Sequence, residues 1–230
     1  MDMIKEDVVS YSKLSLEFPT KVLEIKKLKI IEEFNEHGIA VVELIAVSKA
    51  DYRFIDDITP ETDIKIAINK GKGDDEEITP IFIGIMTKVS AKKVDKFFDV
   101  TLELKDKSFL MDLKLKDRSF QNVNMTYDDL FKEIIKAYPT ATIYDNASSE
   151  KTTIDAPIIQ FRETDYLFLK RIASRLGTGL IPNVRVENPT ISIGKLQGDN
   201  FIEDTVFYTI TKDIGELLRY NLTVTLKRKT

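Results

Sequence analysis

The side chains that could do chemistry are few. A nucleophilic triad needs a base beside its nucleophile, and the sole histidine, His37 in "NEHGI", has no partner that the sequence identifies. It reads as a turn residue ahead of a strand. The absence of cysteine removes thiolate nucleophiles, disulfides and thiolate metal sites, and one imidazole falls short of the about three or four protein ligands that zinc takes. "GKGDD" lacks the GxxxxGK[ST] spacing of a phosphate-binding loop and is better explained as a turn. Carboxylates remain, because glycoside hydrolysis asks only for two of them at a suitable separation across a cleft. One candidate set is the run Asp74, Asp75, Glu76 and Glu77, inside "GKGDDEEITP" at 71 to 80. With two glycines and four acids that stretch reads as an exposed hairpin loop, solvated or in contact with a basic partner. The other set is Glu163 and Asp165, at a helix start, where acids serve the helix dipole and the cap. No cofactor and no metal is expected.

The elements that must position these residues are mostly strands. Apolar side chains at every second position turn one face to a core, as with Ile64, Ile66 and Ile68, with Val100, Leu102 and Leu104, with Ile191 and Ile193, and with Leu222, Val224 and Leu226. The nearly continuous runs "IAVVELIAV" at 39 to 47 and "IFIGIM" at 81 to 86 predict strands buried on both faces, with Gly84 at a bulge or bend. Short strands of such mixed burial suit small barrels.

Two helices interrupt the strands. Over 126 to 137, Thr126 caps, Asp128 and Asp129 favour the positive end of the dipole, and Leu130, Phe131, Ile134, Ile135 and Tyr138 form an apolar stripe before Pro139. Over 164 to 176, Thr164 caps and Leu169, Ile172, Ala173 and Leu176 recur at helical spacing. Gly177 supplies a left-handed stop, and Lys170, Arg171 and Arg175 fall toward the outer face. The strand "PIIQF" feeds this second helix with almost no loop.

A chain of 230 residues holds one large domain or two small ones with ample core. Its 43% hydrophobic and 31% charged residues describe a globular protein, and a formal charge of -4 is the wrong sign for a dedicated nucleic-acid binder. No apolar run approaches the roughly 20 residues that span a bilayer, and "MDMIKEDVV" lacks a signal-peptide core, so synthesis in the cytoplasm is expected.

The strand-to-helix segment "QFRETDYLFLKRIASRLGTGLIP" resembles a signature of the phage late control protein D and VgrG family, through Phe161, Glu163, Thr164, Asp165, Phe168, Leu169 and Gly177. Upstream, "DRSFQNVNMTYDDLFKEIIKAYP" is similar to the family's R-x-F-Q segment and short helix, through Arg118, Phe120, Gln121, Ile134 and Tyr138. "FIGIMTKVS" and "FFDVTLELKDKSFLMDLK" resemble the strands that precede it. The resemblance implies a mainly β fold with flanking helices, built on small β-barrel domains of the phage tail hub type. The expected division is 1–112, a first barrel, and 113–230, two helices with a second, incomplete barrel. It further implies a homotrimeric ring joining the tail tube protein to the spike protein and other baseplate proteins, assembled into a virion tail or tail-like particle, without catalysis. Thr164 and Asp165 would then fix the strand-to-helix turn, and Glu163 would pair with a nearby base or amide. The chain ends at Thr230 with nothing resembling a spike, so the spike is expected on a separate polypeptide or beyond a fragment's end. The competing expectation, from paired acids, is a tail-associated peptidoglycan hydrolase or its cell-wall-binding module.

Overall fold

The computed structural model of the chain describes residues 13–18, 21–47, 62–70, 77–149, 151–194, 208–211 and 221–224. Among the described residues the fold is mainly β with two α-helices, where the sequence predicts them. Its first part is one antiparallel sheet of β1 (Lys13–Glu17), β2 (Val22–Ile31), β3 (Ile39–Val47), β4 (Asp63–Lys70), β5 (Glu77–Val94) and β6 (Phe97–Asp106), in the order β1-β4-β5-β6-β3-β2. Leu28, Ile30, Val42, Leu44, Ile64, Ile66, Phe82, Val100, Leu102 and Leu104 are all buried in a single cluster, nearly all of it supplied by this sheet. A single sheet can bury its own apolar face only by bending over it, and the result is a curled half-barrel.

Three expectations are corrected here. The run at 39 to 47 is not buried on both faces: its even positions, Ala40 to Ala46, are buried and its odd positions only partly so, because the convex face lies nearer water. The expectation holds at 81 to 86, where Phe82 enters the half-barrel and Ile83 and Ile85 are buried as well. Gly84 pairs in regular register with Ile64 and Asp106; the ladder irregularities flank it, between Phe82 and Pro80 and between Met86 and Lys88. What Gly84 provides is closeness, since a Cβ there would stand 2.3 Å from the Lys105 carbonyl oxygen. Finally, Glu77–Pro80 are strand rather than loop, held by pairing with Ala67–Lys70. Pro80 is tolerated because β5 meets β6 only from Gly84 onward, so its missing N–H breaks no second ladder. Asp74, Asp75 and Glu76 lie outside the described residues.

Beyond β6 a 3-10 turn (Lys107–Asp112) leads to β7 (Leu115–Phe120), which pairs antiparallel with β9 (Ile158–Thr164) as a two-stranded ribbon. Between them lie α1 (Tyr127–Ile135) and β8 (Thr142–Asp145). After β9 come α2 (Asp165–Arg175), β10 (Leu180–Pro182) and β11 (Thr190–Ile193), with β11 pairing antiparallel with β10 and parallel with β8. Met111, Phe120, Leu130, Ile134, Phe168, Leu169 and Ile172 share a second buried cluster. In place of a closed second barrel, the described residues of this part hold these small sheets and an antiparallel pair, β12 (Tyr208–Thr211) and β13 (Asn221–Val224). Leu226 falls outside them.

The two parts interlock where the β2–β3 connection meets β10. Asn35, at φ 67°, donates its N–H to the Leu180 carbonyl (2.9 Å), and its side-chain oxygen accepts from Leu180 N–H (2.8 Å). Val184 from the second part is buried in the first cluster, directly over Gly38, where a Cβ would stand 2.3 Å from its Cγ1.

Candidate functional site

The segment from β9 into α2 has no connecting loop: Thr164 ends the strand and Asp165 begins the helix. Thr164 is extended, and its Oγ1 accepts a hydrogen bond from Leu167 N–H (3.2 Å), the capping bond expected of a threonine there. At the other end Gly177 takes φ 71°, the left-handed stop.

Asp165 does more than favour a dipole. Wholly buried, it accepts from Arg118 Nη1 (2.7 Å), Gln160 Nε2 (2.9 Å) and the Tyr138 hydroxyl (2.8 Å). A buried carboxylate is tolerable only when its charge is matched and its lone pairs are occupied, and these three donors, from β7, β9 and the end of the α1 stripe, do both. Burial first, then the Asp165 carboxylate, drives the Tyr138 hydroxyl far above the usual phenol range, so it remains a donor. Glu163 pairs with Arg171 (2.7 Å), whose guanidinium also donates to the Ile159 carbonyl.

Next to it lies a second polar group that corrects the reading of His37. That residue does sit in the β2–β3 connection, yet it is buried against the Tyr166 ring at 3.7 Å between centroids. Its Nδ1 lies 2.7 Å from Ser108 Oγ and its Nε2 3.4 Å from Asp112 Oδ2, while Asp112 Oδ1 accepts from Thr164 Oγ1 (2.5 Å). Asp106, also buried, accepts from the backbone N–H groups of Gly38 and Ser108 and from the Ser108 hydroxyl. Burial is the main cause that lowers the His37 pKa and raises that of Asp106.

Ser108, His37 and Asp112 thus have the residue types of a nucleophilic triad, but not its geometry. Ser108 is wholly buried, so no substrate carbonyl can reach Oγ. Asp106 and Asp165 are likewise enclosed by donors rather than facing each other across a cleft. Among the described residues no group of three or more His, Asp or Glu side chains is placed to hold a metal ion.

Two motif residues stand apart from these clusters. Gln121 is exposed and reaches only Ser119 Oγ (3.3 Å), on the rim of an open groove shared with Arg118, Asn122, Met125 and Glu133. Phe161 is 72% exposed. Sequence reasoning missed Gln160, Tyr138 as a donor, and the whole His37 group. Only the buried register of β7 on β9, which sets Arg118 opposite Gln160, could have exposed the first.

No protein-family model matches the chain, and no curated protein does. Solved structures do match. The 43 kDa tail protein of prophage MuSo2 from Shewanella oneidensis aligns with 93% of the chain at TM-score 0.53 and 15% identity. The chain has the fold of phage tail and VgrG proteins. A chain of a Francisella PdpA–VgrG complex aligns with 98% of it at TM-score 0.55 and 12% identity. The E. coli c3393 protein, a type VI secretion component similar to the T4 tail proteins gp27 and gp5, aligns with 79% at TM-score 0.51 and 13% identity. The chain spans 72%, 45% and 49% of those three proteins, respectively.

Proposed function

We propose that the chain is a structural hub of a contractile phage tail or tail-like particle, forming a three-copy ring between the tail tube protein and the spike protein. The observation that carries this reading is the fold likeness to a prophage tail protein over 93% of the chain. The polar junction supports it, because every strong charge-assisted contact there is spent inside the chain, as in a scaffold. Two parts per chain are what a threefold ring needs to present a near-sixfold surface to a tube. We assign them as 1–112 and 113–230, on the strength of the two buried clusters. The protein would be made in the bacterial cytoplasm and assembled into the particle there. Among the described residues, no helix is long and apolar enough to cross a membrane.

The test is assembly. The chain, mixed with the tube and spike proteins of its own particle, is expected to give a ring of three copies by light scattering and electron microscopy. Failure to bind either partner would sink the hub reading. Turnover of purified peptidoglycan, abolished by changing one carboxylate, would put the hydrolase in its place.

A further inference from the structure

Contacts between the two parts converge on one short turn. Residues 32–38, between β2 and β3, supply the Asn35–Leu180 pair, an ion pair from Glu36 to Lys170 (2.8 Å) and another from Glu32 to Arg185 (3.1 Å). Gly179 lets the turn come close, since a Cβ there would stand 2.3 Å from Asn35 Oδ1 and 2.5 Å from Phe34 Cε1. The ion pairs reach solvent and hold weakly, so the grip depends on what is buried, and the buried side chain of the turn is His37. Outside the turn, Val184 accepts from Ile83 N–H (2.7 Å), and the chain itself passes from one part to the other through the 3-10 turn. Those two links are where a pivot would lie.

Three elements enclose the His37 ring. α2 presents the Tyr166 ring at 3.7 Å between centroids, and its hydroxyl, driven far above the usual phenol range by burial, stays neutral. The 3-10 turn presents Ser108, Asp112 and the Phe109 ring, edge-on at 5.5 Å. The end of β6 presents Asp106 and Lys105. None of these gives an imidazolium a close counterion. Asp112 Oδ2 lies 3.4 Å from Nε2, against about 2.7–2.9 Å for a charge-assisted bond, and its other oxygen is taken by Thr164. Asp106 is engaged by Gly38 and Ser108, and Lys105, whose Nζ sits 4.1 Å over the Phe109 ring, adds positive charge. A neutral ring suits this enclosure, whereas a charged one is left desolvated.

We propose that the β2–β3 turn is a proton-operated clasp: uptake of a proton by His37 releases the turn from the junction, parts Asn35 from Leu180, and lets the two parts move against each other while each keeps its own core. The direction follows from linkage. The enclosed ring binds a proton less readily than the same ring in water, so acid favours the open turn and neutral pH the closed one. An ordinary imidazole titrates at about 6.5, and this is the chain's sole histidine, so one group sets the response. Two separate buried clusters make such a partial opening feasible, and Val184, seated over Gly38, loses its cover with the turn. The clasp works within a single copy, whatever the chain assembles with.

Hydrogen exchange of the full chain, followed by NMR between about pH 8 and about pH 5 and corrected for the intrinsic pH dependence of exchange, tests it. Protection of the Asn35 and Leu180 amides should fall at least about fivefold, with a midpoint matching the titration of the single His37 ring signal, while amides of the β3–β6 ladder keep theirs. His37→Phe keeps a neutral ring against Tyr166 and should abolish the response. Glu32 and Asp106, both pushed up by burial, remain in that variant, so a response that survives it belongs to them and overturns the clasp. Unchanged protection in the wild type overturns it too, as does a fall shared equally by the β3–β6 ladder, which would be unfolding of the whole chain. Should His37→Phe fail to fold by circular dichroism, the two wild-type midpoints decide: coincidence supports the clasp and separation overturns it.

Discussion

The half-barrel and the junction are stabilised in opposite ways. The half-barrel buries a row of aliphatic and aromatic side chains with no buried side-chain charge in its cluster. The junction buries Asp106 and Asp165, and meets their demands with Arg118, Gln160, Tyr138, Ser108 and His37. The first arrangement asks for apolar volume and alternation, which many sequences supply. The second asks for particular atoms at particular distances, which few do. Of the motif residues, Arg118, Thr164 and Asp165 sit in the junction, whereas Gln121 and Phe161 are exposed beside it.

The contrast would be broken most directly at Arg118. Replacement by Ala leaves the Asp165 carboxylate buried without its cation and is expected to cost about 3–5 kcal/mol in urea denaturation. A loss below about 1 kcal/mol would mean that the junction is no more demanding than the surface.

Thr164→Ala removes both the cap on Leu167 N–H and the donor to Asp112, and a loss of about 1–2 kcal/mol is expected from the denaturation midpoint. An unchanged midpoint would show that neither bond contributes.

In the half-barrel, Leu102→Met keeps the volume of a wholly buried side chain and should cost less than about 1.5 kcal/mol. A larger loss would erase the distinction, because the sheet would then be as exacting about shape as the junction is about charge.

The smallest effect sharpens the comparison through pH. His37 has a lowered pKa in the fold, so the unfolded chain takes up its proton more readily. Stability from the neutral ring is complete above the unfolded value of about 6.5 and is lost as pH falls from there toward the lower folded value. Asp106, raised by burial, acts with opposite sign: its contribution is present at low pH and is lost as pH rises from the ordinary carboxylate range through its own raised value. Lys105, Asp112 and Asp106 are the charged groups that act on the ring. Melting temperatures of His37→Phe and the wild type should converge as pH falls below about 6.5. A constant gap between them from pH 5 to pH 8 would show that His37 does not titrate in that window.

The same contrast explains what the sequence could reveal. The half-barrel's strands were legible because Val100, Leu102 and Leu104 alternate with polar residues, and the helices because Thr126, Thr164 and Gly177 have strong local preferences. The His37 group was not, since its members come from separate turns brought together only by packing. The exposure of Phe161 was hidden for a related reason: a bulge is set by the partner strand, and Asp117 lies far from it in sequence.

The parallel pairing of β8 with β11 has a consequence for the order of events during synthesis. Thr142 aligns with Thr190, so forty-eight residues must emerge before β8 meets its neighbour. At about 5–20 residues per second that is roughly 2 to 10 s of translation. The six strands of the half-barrel are all complete by Asp106 and can curl while the rest is still being made. Until β11 arrives, β8 waits with its backbone donors and acceptors turned to water. Nascent chains arrested before Thr190 should therefore show a protected half-barrel and an unprotected β8 in pulsed hydrogen exchange.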